Sequence, residues 1–305
     1  MRACEKIRRE RADGKAPGAQ RPRHNIELGE GASTAQHSQR AAQQNFSQAP
    51  ILKTRQIAVS VGLHKVCLAL DLDLAPGSRL AILGRNGAGK TTLLAALAGL
   101  RAPERGTLLL AGKKYDAWRP VEAARLRGYL PQAQADPFAA TVLQTVLIGR
   151  HPYLSRLAWE SARDVEIARQ ALARLSLTGF EEREIHTLSG GEWQRVRIAT
   201  LLAQQPKLYL LDEPCAHLDL NHQIAVLELF SRLAREEGAA VAMVLHDPNL
   251  AVRYCDQALL LYGDSRHRIG PCEEILTAPV LSELYGHPLC RLASADFSHP
   301  VFVPR

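Results

Sequence analysis

The chain has no run of apolar residues near the roughly 18 that a membrane-crossing helix requires. Its longest, TLLAALAGL and AAVAMVL, stop well short of that length, so any attachment to a bilayer is expected to pass through a partner. The six cysteines (Cys4, Cys67, Cys215, Cys255, Cys272 and Cys290) include no C-x-x-C pair, and the opening MRACEKIRRE lacks the apolar core of a secretory signal. Mostly free thiols in a reducing cytoplasm are therefore expected. No internal repeat is evident, and sustained heptads are missing, which argues against a long coiled coil. Negative charge is the scarcer sign, at a formal net charge of +7. Nine Lys/Arg against five Asp/Glu within residues 1–50 account for +4 of it and leave +3 on the rest. So balanced a remainder argues against a binder of nucleic-acid backbones, which concentrates basic residues on one face.

At 305 residues the chain holds one large or two small domains with ample length for a buried core. Residues 1–50 are rich in Gln, Ala, Arg, Ser and Gly and poor in large apolar side chains, so they read as a disordered polar tail. From about Gln56 short apolar runs alternate with helical patterns: strands at Gln56–Val61, Cys67–Leu74 and Arg79–Leu83, then a helix over Lys90–Leu100. Later strands at Leu208–Leu211, Ala239–Leu245 and Gln257–Tyr262 alternate with helices such as His222–Glu236. This alternation predicts an α/β domain over 51–290 with a mainly parallel sheet. Between about 137 and 190 the pattern is helical, with Val165, Ile167, Ala168, Ala171, Leu172 and Leu175 forming one apolar stripe, and it reads as an inserted helical subdomain. Residues 291–305 are left as a C-terminal extension.

Between the strand at Arg79–Leu83 and the helix from Lys90 lies GRNGAGKT, a G-x-x-x-x-G-K-[ST] phosphate loop. Backbone N–H groups around Gly87, Ala88, Gly89 and Lys90 are expected to cradle a β-phosphate, with Gly84, Asn86 and Thr92 completing the set and Lys90 reaching the β- and γ-phosphates. Thr91 is placed to ligate Mg²⁺. A second turn, LSGGEWQR at Leu188–Arg195, puts Ser189, Gly190 and Gly191 at the start of a helix, where free N–H groups attract anions. The apolar run LYLLDEP ends in two carboxylates, Asp212 and Glu213. Read as consecutive strand residues, they point in opposite directions and need different roles. Asp212 is expected in the Mg²⁺ shell and Glu213 as the general base that polarises the attacking water.

In their order, GRNGAGKT, Gln132 in YLPQ, LSGGEWQR, LYLLDEP, Leu218-Asp219 and His246 in LHD resemble the ATP-binding cassette (ABC) family over about residues 52–290. Singly, Gln132 after a proline is an ordinary loop residue, His246 a structural one, and Asp219 an acid suited to a helix start. It is their order and spacing that carry the resemblance. It implies a P-loop NTPase core with a small antiparallel β subdomain and the inserted helical subdomain, an ATPase using ATP and Mg²⁺. Two copies would associate head to tail, so that Ser189, Gly190 and Gly191 of one contact the γ-phosphate held by Lys90 of the other. Gln132 would sense metal and attacking water, His246 would contact the γ-phosphate, and Asp219 would join the two sites.

GRHPYL at Gly149, LAQQPKLYLLDEPCAHLDLNHQ and ILTAPVLSELYGHPL are similar to importer cassettes for iron-siderophore, haem or cobalamin uptake. Such cassettes imply a place on the cytoplasmic face of a bacterial inner membrane, peripheral beneath membrane-spanning permease subunits that dock near Asp136–Pro152, with a periplasmic binding protein delivering the ligand. Three positions depart from the pattern. Val61 stands where an aromatic would stack on adenine, leaving His64 as a substitute; Cys215 replaces Thr or Ser; Trp193 lies in the signature helix. A DNA-repair or chromosome-maintenance ATPase is the alternative class, but those insert a long coiled coil where only about a hundred residues separate Lys90 from Ser189. Translation-associated cassettes carry two cassettes per chain, and this chain has room for one.

Overall fold

The computed structural model describes residues 49–132, 139–155, 158–292 and 299–305. Residues 1–48 of the expected tail, Cys4 among them, and Asp136 lie outside the described residues. In chain order the strands are β1 (Leu52–Val61), β2 (His64–Leu74), β3 (Arg79–Gly84), β4 (Arg105–Leu110), β5 (Lys113–Lys114), β6 (Arg127–Leu130) and β7 (Leu208–Leu211). They continue as β8 (Ala240–Val244), β9 (Gln257–Leu261), β10 (His267–Pro271), β11 (Leu289–Leu292) and β12 (Val301–Pro304). The α-helices are α1 (Lys90–Leu97), α2 (Pro120–Leu126), α3 (Val142–Leu147), α4 (Ala162–Ala173) and α5 (Gly190–Gln204), then α6 (Leu220–Glu237), α7 (Pro248–Tyr254), α8 (Cys272–Ile275) and α9 (Ala278–Tyr285).

A six-stranded sheet runs β10-β9-β3-β8-β7-β6, parallel from β9 to β6 with β10 antiparallel at one edge. Its middle strands are continuous apolar runs because both faces are covered, as parallel sheets require. Alternate residues divide cleanly between the two faces. Ala81, Leu83, Tyr209, Leu211, Val241 and Met243 enter one core with the helices that follow β6. Leu80, Ile82, Leu208, Leu210, Ala242 and Val244 enter the other, with α1 and the antiparallel strands. That second sheet runs β2-β1-β4-β5, and β2 shows the exposed/buried alternation of a half-covered strand. Gln56 (φ 51°) interrupts the β1 register, and its backbone N–H and side-chain amide both donate to the Asp71 carboxylate, at 2.7 and 2.6 Å.

The segment expected to be helical from 137 to 190 is broken into short pieces. Among the described residues it holds α3, α4 and 3-10 turns at Ile148–Tyr153 and Ile185–Thr187, and Thr141 pairs with Glu184 in an isolated bridge. Pro152 lies within the first of these turns, where it cannot supply an α-helical N–H. Helix α5 packs on both α3 and α4, so the helical layer continues to Gln204. Arg150 ties it together: its guanidinium meets Asp164 of α4 at 2.9 Å and donates to the Ala203 carbonyl of α5 at 2.8 Å. The Ser161 hydroxyl, and then Arg150, hold the Asp164 carboxyl down at about 2. Helix α1 ends at Leu97, three residues before its expected end, with Gly99 in the left-handed region at φ 68°. Near the C-terminus β11 pairs with β12, so the expected extension is half of a hairpin that begins at Leu289. No described helix is long and apolar enough to cross a membrane.

Candidate functional site

Four of the expected site segments leave the same end of the parallel sheet. The phosphate loop follows β3, Gln132 follows β6, Asp212 and Glu213 follow β7, and His246 follows β8. With the strands ordered β3-β8-β7-β6, these segments stand side by side along the C-terminal edge, where open α/β sheets gather their ligands.

The phosphate loop is shaped by glycines for which no other residue fits. A Cβ on Gly84 would lie 2.5 Å from the Leu261 carbonyl oxygen, and one on Gly89 2.5 Å from the Val66 side chain, with Gly89 also at φ 90° as N-cap of α1. Lys90 opens α1, and its ammonium donates to the carbonyls of Gly84 at 2.9 Å and Arg85 at 3.1 Å, folding back over the loop. Burial lowers the Lys90 pKa, opposed by the charges of Glu213 and Asp212. Arg85, Asn86, Gly87 and Thr91 are exposed, and Ala88 and Thr92 lie further in. Val61 and His64 face each other as the last pair of the β1–β2 hairpin, both exposed, and Val66 two residues on is the side chain that meets Gly89. The hairpin tip thus stands beside the phosphate loop.

Asp212 and Glu213 are set apart by a turn, which corrects the strand-alternation reading. Strand β7 stops at Leu211, and Glu213 adopts φ 51°, a left-handed conformation that costs a non-glycine residue energy and clusters at functional positions. Asp212 is fully buried, and no hydrogen bond of ordinary geometry ends on either carboxylate oxygen. Burial and the Glu213 charge push its pKa up, opposed by the nearby Thr91 hydroxyl and, more weakly, by Lys90 and the Gln132 backbone N–H. A buried acid beside a threonine hydroxyl fits a hard cation with oxygen ligands. Glu213 reaches the His246 imidazole, with Oε1 and Nε2 2.8 Å apart. His246 is half exposed and Glu213 mostly covered, so the pair borders the open edge.

The second glycine turn begins α5. Ser189 is its N-cap: its hydroxyl accepts from the Glu192 N–H at 3.2 Å, while Glu192 accepts from the Ser189 N–H at 2.7 Å. Ser189 and Gly190 are exposed. A Cβ on Gly191 would come within 3.0 Å of the His217 carbonyl, so this turn packs on the segment that follows Glu213. Asp219 sits at the end of that segment and performs the plain role available to it, capping α6 by accepting from the His222 N–H at 2.9 Å. Trp193 and Cys215 are half-buried against the helical core, and burial raises the Cys215 pKa to about 12.

Sequence reasoning missed the link between these parts. Gln194 is buried and donates to the Pro214 carbonyl at 3.0 Å, with Glu213 O at 3.5 Å. The Arg197 guanidinium donates to Gln194 Oε1 at 2.7 Å and to the carbonyl of Pro131, the residue before Gln132. One buried polar chain therefore joins the Gln132 loop, helix α5 and the Glu213 turn. Two polar residues inside an otherwise apolar helix face were the available signal.

The ABC transporter family matches residues 67–216. The petrobactin import ATP-binding protein FpuD of Bacillus anthracis is 38% identical over 251 residues, 78% of this chain and 92% of that protein. The hemin import ATP-binding protein HmuV of Pseudomonas aeruginosa is 39% identical over 260 residues, 84% of this chain and all (100%) of that protein. Among solved structures, a metal-chelate type ABC transporter in an inward-facing conformation superposes with a TM-score of 0.74 at 33% identity, covering 84% of this chain and 98% of that one.

Proposed function

Because this chain belongs to the ABC transporter ATP-binding proteins, and is by that membership an ATPase coupled to transport, we propose that it powers the uptake of a metal chelate. The cargo class is an iron-siderophore, haem or cobalamin-like chelate, carried by separate permease subunits to which the chain binds at the cytoplasmic face of an inner membrane. A periplasmic binding protein delivers the cargo to those subunits. What supports the reading is the near-complete length over which import ATP-binding proteins match, together with Gln132, Asp212, Glu213 and His246 at the ends of three neighbouring strands beside the phosphate loop.

In this reading the N–H groups of Gly84–Thr92 hold the phosphates of ATP, and the Lys90 ammonium exchanges its contacts with Gly84 and Arg85 for phosphate oxygens. Thr91, Asp212 and Gln132 hold Mg²⁺, which neutralises phosphate charge when bound. Glu213 accepts the proton of the attacking water, and His246 orients that carboxylate and contacts the γ-phosphate. The turn at Ser189, Gly190 and Gly191, exposed at its first two residues, serves the γ-phosphate held by a second copy in a head-to-tail dimer, and Asp219 lies at that interface. Val61 and His64 flank the adenine.

Deleting the gene in its source organism and measuring uptake of labelled ferric siderophores, haem and cobalamin tests the proposal. Loss of uptake of one of these, restored by the wild-type chain and not by Glu213→Gln, is the expected result. Unchanged uptake of all three overturns it.

A further inference from the structure

His246 sits on a short loop between β8 and α7, and its imidazole is half exposed, so the backbone must fix where Nε2 points. On one side the Leu245 N–H donates to the Ile82 carbonyl at 3.2 Å. On the other side the loop is held by elements from the C-terminal end of the chain. Asn249, in the first turn of α7, is tied to the loop by its N–H, which donates to Asp247 Oδ1 at 2.8 Å. Its side-chain amide brackets β12: Phe302 N–H donates to Oδ1 at 2.7 Å, and Nδ2 donates to the Phe302 carbonyl at 3.1 Å. The Phe302 ring is buried in the helical-side core, which fixes the strand. Independently, the Tyr285 hydroxyl at the end of α9 donates to the His246 carbonyl itself at 3.3 Å. Burial pushes the Tyr285 pKa up to about 12, so the phenol keeps its donor proton. The next residue, Gly286 (φ 68°), also faces the phosphate loop: Nη1 of Arg85 lies 3.5 Å from where its Cβ would be.

We propose that Asn249 and Tyr285 are positioning residues for hydrolysis, tying the β11–β12 hairpin and α9 to the His246 loop so that the imidazole stays on Glu213. This rests on the reading that Glu213 and His246 act in hydrolysis. Catalytic groups must be held within about 0.5 Å of their working geometry, and an exposed imidazole on an untethered loop is not. The C-terminal hairpin thereby becomes part of the ATPase machinery.

The test is steady-state ATPase of the full chain carrying Tyr285→Phe or Asn249→Ala, each also made in a His246→Ala background. Loss of one neutral hydrogen bond corresponds to a fall in kcat of about 3- to 10-fold for Tyr285→Phe, and Asn249→Ala, which loses two, falls further. KM for ATP stays within about twofold, since ground-state binding is untouched. In the His246→Ala background neither substitution lowers kcat again. Tyr285→Phe keeps the half-buried ring, so it decides the matter should Asn249→Ala fold poorly. Unchanged kcat in the single variants, or the same proportional loss with His246 already removed, overturns the proposal. If His246→Ala itself turns over like wild type, the reading of His246 has failed, and this inference fails with it.

Discussion

Glu213→Gln removes one charge and almost nothing else. Glutamine has the same length, and it tolerates the φ of 51° no better or worse than glutamate, so the backbone term cancels. Its amide still offers an oxygen to His246 Nε2 at the present 2.8 Å separation, so the side chain has reason to stay in place. What is lost is the ability to accept a proton from water. A positioned general base contributes about 10²- to 10⁴-fold, so the barrier rises by about 3–5 kcal/mol and kcat falls by that factor. Nucleotide binding survives, because the phosphate loop and Lys90 are intact, and the ATP-bound dimer accumulates because its exit by hydrolysis is blocked. Phosphate release measured beside size-exclusion chromatography with ATP and Mg²⁺ reads both effects. Turnover within threefold of wild type, or no ATP-dependent dimer, would refute the assignment.

Ser189→Arg is expected to leave ATP binding by the monomer intact and to block nucleotide-driven dimerisation, read by equilibrium binding and size exclusion; an undiminished dimer refutes the role in trans. Asp212→Asn should stabilise the nucleotide-free chain by about 1 kcal/mol, or about 2–4 °C in Tm, because it removes a charge that burial disfavours. The sign follows from the raised folded pKa: wild-type Asp212 favours folding when protonated and loses that contribution as pH rises through its folded pKa. The advantage of Asn is therefore present at neutral pH and shrinks as pH falls toward the ordinary carboxylate range, and a pH-independent difference in Tm contradicts it. Gln194→Ala should cost about 1–3 kcal/mol in urea unfolding, since it strips the buried Pro214 carbonyl and Arg197 of a partner. It should also lower kcat by loosening the Glu213 turn, and a variant neutral in both measurements removes the linking role.

The phosphate loop, the carboxylate pair and the second glycine turn were legible because each is local, a few residues whose types satisfy one chemical need. The parallel core was legible for a related reason: strands buried on both faces read as unbroken apolar runs, as in AVAMV. Non-local features were not. The left-handed turn at Glu213 replaces an expected continuation of β7, and nothing in LYLLDEP marks a positive φ. The chain from Pro131 through Arg197 and Gln194 to Pro214 spans segments far apart in sequence. The four-residue strands β11 and β12 are too short for periodicity to find, and the bracket of β12 onto Asn249 appears only when the fold brings Phe302 to α7. Asp219 shows the opposite lesson: its helix cap was readable from local chemistry, whereas the interface role proposed for it rests on the family.

In the proposed mechanism hydrolysis needs two copies, one supplying Lys90 and Glu213 and the other Ser189–Gly191. ATPase rate per chain, followed as the full-length protein is diluted and paired with sedimentation under the same ATP and Mg²⁺ conditions, tests it most directly. The rate per chain should fall with the dimer fraction and vanish in the monomer. A monomer that hydrolyses ATP at the undiluted rate per chain would rule out a site shared between two copies.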